Sequence, residues 1–180
     1  MAELLDPPVA GAWADLGSGG GLPGIPLALA LPDARLTLVE AAGRKCAFLR
    51  EAVTRLGLGD RVEVACGRSE ELTAPGTPAR ESFAVVLAKA VGSLAVVAEL
   101  AAPALRPGGL LLVSKTAAAA AREAAGGAAA GAACGLAARR TAPLERSPLP
   151  GSVCVVYEKV GPTPERFPRR PGMAAKRPLG

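Results

Sequence analysis

Apolar residues recur along the chain in short runs whose spacing alternates between that of a β-strand and that of an α-helix. The runs with strand character are 9–16, 36–40, 61–66, 84–88, 110–114 and 152–160. The runs with helical character are 22–31, 45–56 and 93–105. Strands that alternate with helices in this order predict a doubly wound, mostly parallel α/β sheet.

The last strand departs from this alternation. It follows a turn at 148–151, which permits a hairpin with the segment 139–144 and predicts an antiparallel edge on the parallel sheet. Another turn, at 106–109, precedes the strand at 110–114. The helix at 45–56 places its apolar side chains on one face, namely Phe48, Leu49, Ala52, Val53 and Leu56.

Two segments have neither period. Residues 117–138 are almost all Ala and Gly, and because Ala favours a helix while Gly opposes it, we expect a frayed helix or two short helices acting as a loose connector. The tail at 161–180 is rich in Pro and carries five basic residues against Glu165. We therefore divide the chain into a domain at 1–160 and a basic, Pro-rich tail at 161–180.

Composition excludes several kinds of chemistry. The chain has 180 residues, enough for one domain, and a net charge of +5 that suits an anionic partner without identifying one. It contains no histidine, so it has no Ser-His or Cys-His nucleophile and lacks the usual general base. Any enzyme here must use chemistry that needs no imidazole.

The four cysteines, Cys46, Cys66, Cys134 and Cys154, form no C-x-x-C pair, so we expect no metal site. Those at 46, 66 and 154 lie in apolar runs and are predicted to be small buried hydrophobes. Met1–Gly11 has no signal-peptide pattern, and no apolar run is long enough for a membrane span. We expect a cytoplasmic protein with reduced thiols.

A glycine-rich loop lies between the first predicted strand and the first predicted helix. Five glycines fall within the eight residues 17–24, directly after Asp15 and Leu16. Glycine lets a backbone turn sharply and approach a ligand, and helix amides attract an anionic group. Glu40 ends the second strand, where a carboxylate can accept hydrogen bonds from a ribose diol. The combination predicts a cofactor that contains a nucleoside.

Two cofactors are compatible with this loop. The spacing Gly19-x-Gly21-x-x-Gly24 satisfies the dinucleotide fingerprint, which would make the chain an NAD(P)-dependent oxidoreductase. The spacing Asp15-x-Gly17-x-Gly19-x-Gly21 satisfies the acidic loop of class I methyltransferases. This second interpretation also accounts for the turn at 106–109 and the late hairpin, so it favours S-adenosylmethionine.

Three segments resemble one family. The run 15–27 (DLGSGGGLPGIPL), the run 38–49 with its Gly-Arg-Lys, and the tail at 167–179 are similar to motifs of methyltransferase G of the small-subunit ribosomal RNA, also called glucose-inhibited division protein B. The resemblance implies a class I methyltransferase (Rossmann-like) fold. It also implies transfer of a methyl group to guanine N7 at nucleotide 527 of 16S ribosomal RNA.

The resemblance also implies an N-terminal helical region ahead of the first strand. Here that strand begins almost at once, so we expect the region to be missing. A non-catalytic module that binds cofactor or RNA is therefore a further alternative. The implied partner is 16S rRNA or the small ribosomal subunit, and we expect a monomer.

Site residues follow from the loop and the resemblance together. The predicted cofactor-binding residues are Asp15, Gly17, Gly19, Gly21, Leu22, Glu40, Ser69, Glu70 and Lys89. Within this set, the pair at 69–70 matches positions near the adenine, and Lys89 replaces an arginine of the family. The predicted RNA-binding residues are Arg44, Lys45, Lys115, Arg169, Arg170, Lys176 and Arg177. No catalytic base is expected, because guanine N7 has a free lone pair and no proton to lose.

Overall fold

Seven strands form one central sheet in the computed structural model, which describes residues 9–145 and 147–180. The strands are β1 (Ala12–Leu16), β2 (Arg35–Glu40), β3 (Val62–Cys66), β4 (Phe83–Lys89), β5 (Leu105–Thr116), β6 (Leu136–Pro143) and β7 (Ser152–Lys159). Their order is β3-β2-β1-β4-β5-β7-β6. The strands β1 to β5 pair in parallel, and β7 pairs antiparallel with both β5 and β6. The predicted mostly parallel sheet with a C-terminal antiparallel hairpin is confirmed.

Helices cover both faces of the sheet. They are α1 (Gly24–Ala30), α2 (Gly43–Arg55), α3 (Ser69–Leu72), α4 (Leu94–Ala101), α5 (Ala117–Ala133) and α6 (Met173–Lys176). Side chains of α1 and α2 belong to one buried cluster, and those of α4 and α5 belong to another. Along the described ranges, no helix is long and apolar enough to cross a bilayer. The expectation that Met1–Gly11 contains no signal peptide concerns mainly residues outside these ranges.

The strand order places a crevice at the carboxyl ends of β1 and β4. The chain leaves β1 toward β2 on one side of the sheet, and leaves β4 toward β5 on the other. Connections that diverge in this way leave room for a ligand at the carboxyl edge. The residues that follow β1, β2, β3 and β4 are therefore the ones positioned to form a site.

Two predicted helix boundaries and one predicted turn were wrong. The first helix begins at Gly24, after Pro23. The helix predicted at 93–105 ends at Ala101, and a 3₁₀ turn leads directly into β5. Residues 106–109, predicted as a turn, belong to that strand. A side chain at Gly109 would approach the carbonyl oxygen of Ala84 to 3.1 Å, so glycine permits this close pairing with β4.

Residues 117–133 of the Ala/Gly-rich segment form one continuous helix, so the prediction of a frayed helix or two short ones was wrong, and residues 136–138 begin β6. The side chain of Thr116 caps α5 by accepting a hydrogen bond from the N–H of Ala119. A Cβ at Gly127 would lie 2.6 Å from the Cβ of Leu94 and 2.5 Å from the hydroxyl of Tyr157. The small residues therefore let α5 approach α4 and β7 closely, and this packing offsets the low helix propensity of glycine.

The buried face of α2 differs from the predicted one. Leu49 and Val53 are buried as expected, but Phe48 is 53% exposed and Leu56 is 46% exposed. Cys46 takes the first buried position on this face. The helix begins at Gly43, and positions 46, 49 and 53 then follow the helical period toward the sheet.

Cys46 and Cys66 form a disulfide between α2 and the end of β3. This finding corrects the prediction that the thiols are reduced; Cys46 is buried as predicted, whereas Cys66 is exposed. Cys154 is buried as predicted, and Cys134, whose burial was not predicted, is buried too. Burial raises the pKa of each of these two thiols to about 12, so both remain protonated at neutral pH.

The tail packs against the domain. Arg80 donates hydrogen bonds to the carbonyl oxygens of Thr163 and Phe167, each at 2.9 Å. Lys159, at the end of β7, is fully buried and donates to the carboxylate of Glu81 at 3.1 Å and to the hydroxyl of Thr163. Burial lowers the pKa of Lys159, while the contact with Glu81 acts in the opposite direction. These contacts fix the first half of the tail to the loop between β3 and β4.

Candidate cofactor-binding site

A cavity of about 300 Å³ lies at the carboxyl edge of the sheet. Its lining residues are Leu16, Gly17, Val39, Glu40, Ala41, Lys45, Gly67, Arg68, Ser69, Glu70, Ala90, Val91, Val96, Leu100, Gly172 and Ala175. We call it the cofactor cavity. A second cavity of about 300 Å³ with a mainly apolar lining contains neither the glycine loop nor Glu40.

The glycine loop owes its shape to backbone conformations that other residues rarely adopt. Gly17, Gly19 and Gly21 have φ angles of +68°, +57° and +87°. All three are in the left-handed region, where a Cβ is disfavoured. No atom would lie within 4 Å of a Cβ at Gly20, so this part of the loop faces open space. The loop therefore exposes backbone next to the cavity.

The side chain of Asp15 is buried beneath the glycine loop. Its Oδ2 accepts a hydrogen bond from the N–H of Gly24 at 3.0 Å. Its Oδ1 is buried and has no hydrogen-bond partner within the described ranges. Burial raises the pKa of Asp15 to about 7, although the N–H of Gly24, the side chain of Ser18 and the charge of Lys89 lower it. Asp15 therefore holds a carboxyl group poised to change its ionisation near neutral pH.

Glu40 links the second strand to the glycine loop. Its Oε2 accepts from the N–H of Gly19 at 2.9 Å, and its Oε1 accepts from the N–H of Ala42 at 2.8 Å. Burial alone would raise the pKa of Glu40, but these bonds and the charge of Lys45 lower it. A carboxylate has about four acceptor positions, so two remain for a ligand's hydroxyl groups.

Ser69 and Glu70 form the start of α3 on the opposite side of the cavity. The hydroxyl of Ser69 donates to Oε2 of Glu70 at 3.1 Å. The N–H of Gly172 donates to Oε1 of the same carboxylate at 2.9 Å. Glu70 is therefore a buried carboxylate whose two oxygens are both oriented by protein donors.

Not all predicted cofactor residues line the cavity. Gly17, Glu40, Ser69 and Glu70 do, whereas Leu22 is 55% exposed on the outside of the loop. Asp15, Gly19, Gly21 and Lys89 are not among the lining residues either. Ala90, the residue after Lys89, has a φ of +59°. Strained conformations of this kind cluster at functional sites.

The predicted RNA-binding residues fall into two groups. Arg44, Lys45, Arg170, Lys176 and Arg177 are exposed. The side chains at 115 and 169 instead have carboxylate partners. Lys115 pairs with Glu123 at 2.8 Å, and Arg169 pairs with Glu99. The structure thus places these two cations in ion pairs within the protein, a placement that their charge alone did not indicate.

Several lining residues escaped the sequence analysis. Val91, Val96 and Leu100 come from the loop before α4 and from α4 itself, and Gly172 and Ala175 come from the tail. None lies in a loop motif or at the end of a predicted strand. The available sequence signal for Gly172 and Ala175 was their place in the tail run 167–179, which resembles a family motif, and Gly172 has a φ of +81° in the structure.

The fold and site define a class of protein. The chain resembles an O-methyltransferase of neocarzinostatin biosynthesis solved with S-adenosylmethionine, with a TM-score of 0.67 and 20% identity, covering 83% of this chain and 49% of that one. A geranyl diphosphate C-methyltransferase from Streptomyces coelicolor gives a TM-score of 0.63 at 14% identity, covering 88% and 79%. The architecture is that of the class I S-adenosylmethionine-dependent methyltransferases.

The family within this class follows from sequence. The model of rRNA small subunit methyltransferase G matches residues 1–141. Ribosomal RNA small subunit methyltransferase G of Rubrobacter xylanophilus is 43% identical over 176 residues, covering 94% of this chain and 66% of that protein. The chain belongs to the rRNA small subunit methyltransferase G family. It spans about two thirds of the length of the curated relatives it matches.

The family confirms the resemblance inferred from the three motifs. It also confirms S-adenosylmethionine as the cofactor, in place of the dinucleotide that the Gly19, Gly21 and Gly24 spacing allowed. In the part of the chain that the structure describes, no cluster of three or more metal-ligating side chains is present.

Proposed function

We propose that this chain transfers a methyl group from S-adenosylmethionine to N7 of guanine 527 in 16S ribosomal RNA. The observation that carries the proposal is the cofactor cavity, with the glycine loop and Glu40 at the carboxyl edge of the sheet, in a chain of this family. The substrate is 16S rRNA, free or in the small subunit, and the chain acts as a monomer in the cytoplasm.

The residues present fit this cofactor. The buried, unpartnered Oδ1 of Asp15 is a suitable partner for a cationic amino group. The two remaining acceptor positions of Glu40 suit a ribose diol. The open space at Gly20 leaves room for close backbone approach. When bound, S-adenosylmethionine supplies a methyl group on a positively charged sulfur.

Methylation of guanine N7 requires that the base and the methyl group be aligned. It requires no proton transfer to or from the protein. N7 carries a lone pair and loses no proton when it accepts a methyl group. Catalysis by holding two reactants close and in line can lower a barrier by several kcal/mol, roughly 7–11 in favourable cases. A chain without histidine can therefore perform this reaction.

The RNA must present the base outside a helix. N7 lies on the major-groove edge, which in A-form RNA is too deep and narrow for side chains to enter. Exposed cations flank the cavity on two sides, at Arg44 and Lys45 beside Glu40 and at Arg170 and Lys176 in the tail. We assign phosphate contacts to these four, because such contacts position an RNA without depending on its sequence.

The direct test is transfer of a labelled methyl group to small-subunit RNA from cells that lack the modification, followed by mapping of the labelled nucleotide. Label at the predicted guanine supports cofactor, reaction and substrate together. Label at another nucleotide contradicts the assigned substrate. Absence of label, with cofactor binding intact, supports the alternative of a non-catalytic module.

A matched pair of variants makes this test specific to the cavity. Glu40→Ala removes the carboxylate that joins β2 to the glycine loop, and we expect loss of methyl transfer by about 100-fold or more. Glu63→Ala removes an exposed carboxylate from β3, outside the cofactor cavity, and we expect unchanged transfer. Equal activity of the two variants would contradict the assigned site.

A further inference from the structure

The C-terminal segment Arg169–Arg177 contributes one wall of the cofactor cavity. Gly172 and Ala175 line the cavity directly. We call this segment the C-terminal wall. Its Gly172 lies 102 residues along the chain from the Glu70 carboxylate that it contacts. The tail is therefore part of the cofactor site as well as a basic extension of the domain.

The ion pair between Arg169 and Glu99 holds both ends of the C-terminal wall. The guanidinium of Arg169 donates from Nε to Oε1 of Glu99 at 2.7 Å and from Nη2 to Oε2. The same Nη2 donates to the carbonyl oxygen of Arg177 at 2.8 Å. Glu99 lies on α4 and is 1% exposed. A single buried carboxylate thus fixes the first residue of the wall, and through it the last.

The position of Glu99 connects this pair to the cavity. Its neighbours on α4, Val96 and Leu100, both line the cofactor cavity. The bidentate geometry fixes direction as well as distance, since a guanidinium meets a carboxylate through two parallel hydrogen bonds. The wall is therefore held against the helix that forms the adjacent side of the site.

The wall in turn orients a carboxylate inside the site. The N–H of Gly172 donates to Oε1 of Glu70, and the hydroxyl of Ser69 holds Oε2. If the wall moves away, Glu70 loses one of its two donors and is free to rotate. The first half of the tail has its own anchor at Arg80, so loss of the Arg169 contact should loosen the wall and leave that half in place.

We propose that Arg169 and Glu99 are positioning residues of the cofactor site, which hold the C-terminal wall closed and thereby orient Glu70 toward bound cofactor. This inference rests on the proposed function, because it takes the cavity to bind S-adenosylmethionine. It gives Arg169 a role distinct from the phosphate contact expected from its charge.

The test is the affinity for S-adenosylhomocysteine, measured by isothermal titration without RNA. Arg169→Ala should weaken binding by about tenfold or more, while Arg166→Ala should change it by less than about twofold. Both variants remove one positive charge from the tail, but Arg166 is exposed and its guanidinium lies over the ring of Phe167, outside the cavity lining. Equal affinities of the two variants would overturn the inference while leaving the proposed function intact.

A double variant separates positioning from stability. Arg169→Ala leaves Glu99 buried without its partner, so the variant should also have a lowered melting temperature. Combining Arg169→Ala with Glu99→Leu removes the unpaired charge and should restore melting but not affinity. Recovery of affinity together with melting would reduce the pair to a structural role and overturn the inference. Absence of binding by the unaltered chain would overturn both this inference and the proposed function.

Discussion

The glycine loop and the C-terminal wall both contribute to the cofactor cavity and are held by different interactions. The glycine loop keeps its shape through the left-handed conformations at Gly17, Gly19 and Gly21. The C-terminal wall is held by the Arg169–Glu99 ion pair, by the hydrogen bond from Gly172 to Glu70 and by packing of α6, with its buried Ala174, against α4. A backbone conformation holds no charge for salt to screen, whereas an ion pair responds to salt and to the loss of either partner. One side of the site is therefore rigid and the other can be released.

The rigid side also has a covalent support. The Cys46–Cys66 disulfide joins α2 to the end of β3, directly beside Glu40. The sulfur of Cys46 lies 3.2 Å from the carbonyl oxygen of Glu40. Treatments that act on the disulfide should therefore affect the glycine-loop side, and treatments that act on charge should affect the C-terminal wall.

The largest expected effect is a pH dependence that originates beneath the glycine loop. Burial raises the pKa of Asp15 from 3.8 to about 7. Between these values the folded chain retains a proton that the unfolded chain releases, so stability falls as pH rises from about 4 to about 7. The loss is on the order of 4 kcal/mol. The side chain in Asp15→Asn cannot ionise, so this variant should not lose stability over this pH range.

Denaturant unfolding of both proteins at pH 5 and pH 8 measures this effect. The free energy of unfolding of Asp15→Asn, relative to the unaltered chain, should increase with pH. If the difference in free energy of unfolding between the two proteins stays constant with pH, Asp15 has an ordinary pKa. That result would contradict the prediction that Asp15 titrates near neutral pH beneath the loop.

Reduction of the disulfide should lower the free energy of unfolding by about 3 kcal/mol, since the cross-link closes a loop of 20 residues. Urea unfolding with and without dithiothreitol checks this prediction. The double variant Cys46→Ala/Cys66→Ala should be insensitive to the reductant, because the remaining thiols, Cys134 and Cys154, are unpaired. Equal stability of the unaltered chain in both conditions would contradict the covalent support.

Gly24→Ala should destabilise the loop side by about 2 kcal/mol and weaken cofactor binding. A Cβ at this position would lie 2.5 Å from Leu38 and 2.7 Å from the Oδ2 atom of Asp15. Gly20→Ala provides the control, because a Cβ there meets no atom within 4 Å. Thermal melting of both variants is sufficient to compare them. A stable Gly24→Ala protein would contradict the close packing of the loop on Asp15.

Salt should produce the smallest effect and should act on the C-terminal wall. The side chain of Arg169 is 25% exposed, so the ion pair is partly screened by solvent ions. Raising the ionic strength to about 1 M should weaken S-adenosylhomocysteine binding by about twofold, roughly 0.4 kcal/mol. Arg169→Ala should lack this dependence. The same salt dependence in both proteins would assign it to other charges.

The sequence was sufficient to predict the rigid side of the site. The glycine spacing after Asp15 and the position of Glu40 at the end of β2 depend on local backbone geometry and strand order, which leave a pattern in nearby residues. The sheet and its antiparallel hairpin were predictable for the same reason. The buried face of α2 was less predictable, because packing decides whether a residue such as Phe48 faces the core.

The position of the C-terminal wall was not predictable in this way. Arg169 and Glu99 are 70 residues apart, and neither lies in a motif that identifies its partner. The Ala/Gly-rich helix is a similar case, since its continuity depends on contacts of Gly127 with Leu94 and Tyr157. The Cys46–Cys66 pairing likewise became evident only when the strand order placed α2 beside β3. Each feature depends on contacts between distant segments.

Hydrogen exchange of the full chain, with and without S-adenosylhomocysteine, tests most directly whether two walls close on one cofactor site. We expect slower exchange on binding for amides of Gly17–Gly21 in the loop and also for Gly172–Ala175 in the C-terminal wall. Protection confined to the loop would contradict the wall's role. An unchanged exchange pattern in both segments, at a saturating concentration of S-adenosylhomocysteine, would contradict the cofactor site itself.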